Sequence, residues 1–241
     1  AIGFEALKTL NFGGDSENVG IGSQSGRDLT TGVRNTLVGR LSGFDLNTGS
    51  DNVGVGYKTL YTETSGSKNV AIGKEALLTL NVSGDGNNTA VGYYSGRAMT
   101  TGTKNTFMGS LAGNTLTTGT NNVAIGYEAL TTEDQGGSNV AVGYYALRAL
   151  NSDAGGNTAV GYSAGLNMST GSDNVVVGGA TGQNTTVGIK NVFVGTGAGY
   201  TNVDGSKSVA VGYRSLYLQE PSGATNCHNI GVSYTAGTNI S

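Results

Sequence analysis

Short apolar triplets recur along the chain, and almost every one follows directly after an asparagine, which Ser208 replaces once. With that asparagine counted as position 1 of a turn, the apolar residues occupy positions 2, 3 and 4, and a glycine follows at position 5. The segment NTAVGYYSG from Asn88 is one copy, and NVAIGYEAL from Asn122 is another. The copies return every 17 residues through almost the whole chain. Blocks this short and this rich in glycine cannot hold an amphipathic helix, so stacked strands are predicted.

The repeat predicts an all-β fold, a parallel β-solenoid of about fourteen 17-residue turns. Position 4 is β-branched or Met in every turn, which suits a pleated strand. The glycine at position 5 indicates a corner with positive φ or a close neighbouring backbone. The solenoid is expected to occupy residues 1–218, and residues 219–241 are expected to form an irregular loop and a final partial turn.

Polar residues that recur at the same position of successive turns, here called columns, support the stacking of one turn on the next. If turns lie on one another, the position-1 asparagines can form a hydrogen-bonded ladder, although asparagine also tolerates turn conformations by itself. Position 17 alternates in charge along Glu17, Arg34, Asp51 and Lys68, which would place opposite charges side by side on adjacent turns.

Position 9 alternates between pairs of leucines and pairs of glycines, which makes a super-repeat of four turns, about 70 residues long. Three long loops, at 81–87, 151–157 and 219–227, fall in step with it. The pattern indicates that a block of four turns was duplicated.

The residues at position 3 predict a second apolar surface. Positions 2 and 4 share one face of a strand and are expected to point into the solenoid, so position 3 would point outward. Position 3 nevertheless carries neither charge nor hydroxyl in the turns from Asn18 to Ser208. An outward apolar row needs a cover, and a second copy of the chain is the simplest one. The candidate subunit-interface residues are Leu37, Phe107, Val176 and Phe193.

The composition of the chain argues against several classes of binding and catalytic site. The chain has 43 glycines, 12% charged residues and a net charge of −3, so no basic face invites nucleic acid. No apolar run approaches the roughly 20 residues of a membrane helix, so no membrane insertion is expected. Cys227 and His228 are the sole cysteine and histidine and fall short of a zinc site. We therefore predict no catalytic, cofactor-binding or metal-binding residues, and no cofactor.

Tyrosines are the candidate contacts for an external partner. Aromatic rings beside Asn and Thr can stack on the sugars of a surface glycan, although the same rings can instead pack against neighbouring loops. The candidate glycan or receptor contacts are Tyr57, Tyr93, Tyr94, Tyr127, Tyr144, Tyr145, Tyr162 and Tyr213.

The segments NVAIGYEAL, NTAVGYYSG and NVAVGYYAL resemble the repeats of YadA-like trimeric autotransporter adhesin heads, and they are similar to repeats of bacteriophage tail fibres. The resemblance covers residues 1–218. It implies a left-handed β-roll, a homotrimer, and an extracellular place on a virion fibre or a bacterial cell surface. The turns here are longer than is typical of adhesin heads, which favours the fibre side of the resemblance.

The leading functional hypothesis is a non-enzymatic structural fibre or adhesin segment, an elongated trimeric rod that attaches to a host glycan or receptor. Adjoining fibre or anchor domains are expected as further partners. Two alternatives stay open. One is a monomeric ice-binding β-solenoid, suggested by the Thr-rich loops, and the other is a tailspike-like glycan hydrolase with a site between subunits.

Overall fold

The fold is an all-β parallel β-solenoid, as the repeat predicts, in which a three-residue strand recurs in each 17-residue turn. The structure is a computed structural model. The described residues form strands and turns, with no helix among them. They are 1–11, 15–153, 155–219 and 226–240.

The chain divides into two units, Ala1–Asn121 and Asn122–Ser241. The strands of the first unit are β1 (Val19–Ile21), β2 (Thr36–Val38), β3 (Val53–Val55), β4 (Val70–Ile72), β5 (Thr89–Val91) and β6 (Thr106–Met108). Those of the second are β7 (Val123–Ile125), β8 (Val140–Val142), β9 (Thr158–Val160), β10 (Val175–Val177), β11 (Val192–Val194), β12 (Val209–Val211), β13 (Leu218–Gln219), β14 (Ile230–Val232) and β15 (Asn239–Ile240).

Within each unit, successive turns pair in parallel with equal repeat positions side by side. Leu37 of β2 lies opposite Gly54 of β3, and Val176 of β10 lies opposite Phe193 of β11. Where a turn is two residues longer, Val70 still pairs with Thr89, so the extra residues bulge into the loop without shifting the register. The predicted in-register stacking is confirmed.

The position-1 asparagines form a buried ladder in each unit. The side-chain Oδ1 of Asn157 accepts bonds from the backbone N of Asn174 at 3.1 Å and from its Nδ2 at 3.1 Å. The same Nδ2 also donates to the carbonyl of Gly188, near the end of its own turn, at 2.8 Å. The bonds recur from Asn35 to Asn52 in the first unit. Of the two explanations for the column, the hydrogen-bonded ladder is therefore confirmed.

The position-5 glycines are needed for both predicted reasons. Gly92, for example, has φ of 144°, and a Cβ built on it would lie 2.4 Å from the carbonyl oxygen of Gly109 in the next turn. L-residues seldom adopt that φ, and no side-chain carbon fits so close to a backbone oxygen. These corners let one turn lie directly on the next.

The predicted subunit interface is wrong, because the two strand faces are the reverse of those expected. Position 3 points into the solenoid, and positions 2 and 4 point outward. The leucines at position 12 cover the inward face of the strands. Leu29 and Leu46, both at position 12, pack with Leu37 of position 3 in one buried cluster. The four predicted interface residues are fully buried within their own chain: Leu37, Phe107, Val176 and Phe193.

The super-repeat of four turns follows from packing between positions 3 and 9. Each position-9 glycine that has a large position-3 neighbour, in its own turn or the next, leaves room for it: a Cβ on Gly113 would lie 2.7 Å from the ring of Phe107 in the same turn, and a Cβ on Gly96 would lie 2.8 Å from that ring one turn away. Position-9 leucines in turn fill the space beside small position-3 residues: a Cβ on Gly20 would lie 2.6 Å from Cγ of Leu7 in the previous turn. The two columns therefore share one interior volume, which must be filled to crystal-like density.

Position 9 has left-handed backbone whichever residue occupies it, with φ of 58° at Gly96 and 49° at Leu77. Position 10, which carries Tyr61, Tyr200 and Tyr217, lies in the same turn region. The chain bends here too tightly for a strand.

Candidate functional site

The outer face of the strands is an exposed apolar surface. Positions 2 and 4 carry Val, Ile, Thr or Met and no charged residue in either unit. Met108 of the first unit is 48% exposed, and Val175 and Val192 of the second are each 37% exposed. In-register pairing aligns these side chains in rows within each unit, and an exposed apolar row is typical of a surface that another molecule covers.

The position-6 tyrosines of the second unit stack into a ladder. The ring centroids of Tyr127 and Tyr144 are 5.3 Å apart with planes at 18°, and those of Tyr144 and Tyr162 are 5.5 Å apart at 8°. Tyr213 and Tyr234 form a second stacked pair at 5.1 Å. Stacking in register thus turns a sequence column into a column of rings, in which each ring covers the face of its neighbour.

The remaining candidate tyrosines pack with one another or beneath cations. Tyr93 and Tyr94 stack with centroids 3.8 Å apart, and Tyr145 lies 4.0 Å from Tyr144. The ammonium of Lys58 is 5.5 Å from the ring centroid of Tyr57. The rings therefore pack chiefly on each other and on cationic side chains. Their binding to a glycan stays a prediction.

Ion pairs border these rings. Arg148 Nε donates to Glu128 Oε2 at 2.6 Å, and Arg97 Nε donates to Glu75 Oε2 at 2.8 Å. The carboxylate of Glu128 raises the pKa of Tyr127, because it accepts a hydrogen bond from the neutral phenol. These carboxylates lie at position 7 and are held by arginines, an arrangement that fixes the rings in place.

One of the pairs expected at position 17 forms, that of Arg34 with Asp51, whereas Lys68 pairs with Asp85, which lies 17 residues later. Arg34 Nε donates to Asp51 Oδ1 at 2.6 Å, and Lys68 Nζ donates to Asp85 Oδ2 at 2.6 Å. The guanidinium of Arg34 lowers the pKa of Asp51 through that hydrogen bond. The pairs are exposed, so they contribute little to stability.

Two clefts lie at equivalent loops, one in each unit. The first, of about 380 Å³, includes Ser65 and Val82, and the second, of about 450 Å³, includes Gln135 and Ser152. Both are shallow and lined mainly by small polar side chains, without an aromatic ring.

A buried glutamate supports each cleft. Glu63 Oε1 accepts from the backbone N of Gly66 at 2.6 Å, and its Oε2 accepts from that of Val82 in the next turn at 3.2 Å. Glu133 makes the matching bond to Gly136 at 2.7 Å. Burial raises the pKa of Glu63, although these amide donors oppose the shift. Both glutamates occupy position 12, where leucine is usual, so they replace core packing with hydrogen bonds to the loop.

Cys227 is partly exposed, and its backbone N donates to Ser206 O at 3.0 Å. His228 beside it is exposed, with φ of 53°. Within the ranges that the structure describes, His, Cys, Asp and Glu form no group of three or more that could hold a metal ion. The same ranges contain no helix long and apolar enough to cross a membrane.

Sequence reasoning missed one feature of the tyrosine ladder, its interruption at Gly179 and Thr196. The signal is readable in the sequence, because position 6 is otherwise Phe, Ser, Thr, Arg, Lys or Tyr and is glycine only in the segment VVVGGATG. It also missed the outward strand face, because positions 2, 3 and 4 are all apolar. Searches of protein-family models, curated proteins and solved structures find no match to this chain.

Proposed function

We propose that this chain is a non-enzymatic structural segment of a fibre or adhesin, displayed on a virion or bacterial cell surface, and that three copies associate through the outer faces of their strands. The exposed row of Val, Ile, Thr and Met at positions 2 and 4 carries the proposal. A water-facing strand row is normally polar, and this one is not. The number three, the surface location and attachment to a host rest on the resemblance of the repeats.

The corrected strand orientation strengthens the argument for self-association. The interior is closed by the chain's own residues, since position 3 packs against positions 9 and 12. Among the described residues, none closes over the outer face in this way, and its side chains stay partly or largely exposed. Because the face repeats with the same period in every copy, a neighbouring copy can match it turn by turn.

The ice-binding alternative receives less support from the loops. A flat ice-binding face needs rows of threonine hydroxyls directed at solvent, but several loop threonines donate to backbone carbonyls of the next turn. Thr79 Oγ1, for example, donates to Arg97 O at 2.9 Å, and Thr132 Oγ1 donates to Arg148 O at 2.7 Å.

Sedimentation equilibrium tests the proposal. The wild-type chain is expected to sediment at about three times 24.2 kDa. A variant carrying Met108→Lys and Val192→Lys, with one charge on the outer face of each unit, is expected to sediment as a folded monomer with an unchanged circular dichroism spectrum, because the buried lysines would lack counter-charges.

Two controls separate association from folding. Lys104→Asp changes an exposed loop residue and is expected to leave the trimer intact. Phe107→Asp places a charge in the closed interior and is expected to unfold the protein. A monomeric wild type would overturn the proposal, and thermal hysteresis in ice-growth assays would then favour the ice-binding alternative.

A further inference from the structure

The tyrosine ladder of the second unit ends with one uncovered ring face. Tyr127 and Tyr144 are 40% and 42% exposed, whereas Tyr162 is 63% exposed. Position 6 of the next turn is Gly179, which has no ring to place on Tyr162, and Thr196 follows one turn later. The ladder is therefore interrupted for two turns before Tyr213 resumes it.

The interruption is a slot about one ring thick. The rings of Tyr127, Tyr144 and Tyr162 repeat at 5.3 to 5.5 Å from turn to turn, so a fourth ring would lie over Gly179. The space there is open: the nearest atoms to a Cβ built on Gly179 are Cγ2 and Oγ1 of Thr196, at 3.9 and 4.0 Å. The face of Tyr162 forms one wall of the slot, and the methyl and hydroxyl groups of Thr196 form the other.

The backbone does not require glycine at this position. Gly178, its neighbour, has φ of 135°, and its Cβ would meet Thr181 Oγ1 at 2.6 Å. Gly179 lies outside the left-handed region, and its Cβ would make ordinary contacts. Residue 179 could therefore carry a side chain, and what the glycine provides is the space beside Tyr162.

We infer that this slot binds one pyranose ring of a glycan, with the apolar C–H face of the sugar on Tyr162 and its hydroxyl rim towards Thr196 and solvent. A pyranose combines one apolar face with polar edges, and the slot offers one aromatic wall and one wall bearing a hydroxyl. An inserted aromatic side chain would instead leave the Thr196 hydroxyl against a ring face. The inference rests on the attachment role in the proposed function and names its ligand class.

Saturation-transfer NMR on the full chain tests the inference, with methyl β-galactoside as the probe because its axial hydroxyl leaves one ring face apolar. Saturation is expected on the ring C–H protons of the sugar. Tyr162→Leu, which keeps an apolar wall but removes the aromatic face, is expected to weaken binding about tenfold. Gly179→Tyr, which supplies the missing ring, is expected to abolish it. Tyr61→Leu, in the first unit, where the ring stacks on Phe44, is the matched control and is expected to bind like wild type.

Three outcomes would overturn the inference. Saturation could fail to reach the galactoside, or it could reach the galactoside equally in wild type and in Gly179→Tyr. It could also reach p-cresol, an analogue of the tyrosine side chain, without reaching the sugar, and this result would assign the slot to an aromatic side chain. Sedimentation of the same samples separates the two proposals, because a wild-type trimer that ignores the sugar defeats only the glycan site.

Discussion

Two columns of the second unit obey the same period but differ in continuity. The asparagine column at position 1 is buried, and its members continue from turn to turn through Asn157, Asn174 and Asn191. Where Ser208 replaces asparagine in the next turn, its backbone N still donates to Asn191 and its hydroxyl accepts from Gln219 Nε2 at 3.2 Å. The tyrosine column at position 6 is exposed and is interrupted for two turns after Tyr162, with no such replacement. A missing buried amide would leave backbone groups without partners, whereas a missing exposed ring leaves only solvent in its place.

The difference shows where this fold can vary. Backbone stacking fixes the buried columns, since each asparagine bonds to the turn before it and closes its own turn. The residues of the exposed columns are spaced by the same stacking, but the backbone does not dictate which amino acid occupies each place. Function is therefore expected in the irregularities of exposed columns rather than in the regular interior.

The largest expected effect is the loss of stability when an asparagine of the buried column is replaced, compared with a tyrosine of the exposed column. Asn174→Ala removes the acceptor for the backbone N of Asn191 and the donor to Gly188, both buried. We expect a loss of about 3 kcal/mol in the free energy of unfolding, measured by denaturant titration. Tyr144→Ala, in the exposed column, should cost about a third as much. Equal losses for the two variants would contradict the contrast drawn between the columns.

The adjacent glycines Gly178 and Gly179 should differ in how much stability is lost when each is replaced by alanine. Gly178→Ala forces a Cβ to within 2.8 Å of the carbonyl carbon of Gly195, and we expect a loss of about 2 kcal/mol or more. Gly179→Ala, one residue later, should be neutral or stabilise by about 0.5 kcal/mol, because it only restricts the unfolded chain. Thermal unfolding of the two variants measures the difference. A similar loss at both positions would show that Gly179 is needed by the backbone and not for the slot.

The smallest effect concerns the buried carboxyl group of Glu63, and it depends on pH. Burial raises its pKa in the folded protein above the ordinary value of 4.5, so the folded state favours the protonated form. The resulting stabilisation is full below 4.5 and is lost as the pH rises through the folded-state pKa. We expect wild type to gain stability relative to Glu63→Gln as the pH is lowered from 7 towards 4.5.

Comparison with Glu63→Gln is the suitable readout, because exposed pairs such as Arg34 and Asp51 are present in both proteins and their own pH dependence cancels. Denaturation midpoints at several pH values give the two profiles. Parallel profiles would mean that Glu63 titrates alike in the folded and unfolded states.

Much of the backbone could be predicted from sequence. Asparagine at position 1 and glycine at position 5 mark both ends of each strand, and both residue types are demanded by backbone geometry. The pair of Arg34 with Asp51 follows from the same spacing, since equal positions on adjacent turns are neighbours. The same reasoning places Lys68 beside Asp51, whereas its ammonium bonds to Asp85.

The direction of the strand faces could not be obtained by the same reasoning, because apolar residues occupy positions 2, 3 and 4 alike. The variation in side-chain size along each column shows which face points inward. Position 3 ranges from Gly20 to Phe107, and position 9 compensates for it, which happens only where side chains share a closed volume. Positions 2 and 4 are more uniform in size, as suits residues on an open face. The left-handed backbone of leucines such as Leu77 also lay beyond prediction, because leucine rarely adopts it.

The direction of the asparagine bonds has a consequence for biosynthesis. Asn52 donates its backbone N and its side-chain amide to the oxygen of Asn35, and Asn174 does the same to Asn157, so the later asparagine is the donor in each of these links. A nascent chain leaving the ribosome thus exposes a ready-made acceptor before the next donor has been translated. Each new loop can be captured on arrival by the one that preceded it, so folding can keep pace with translation.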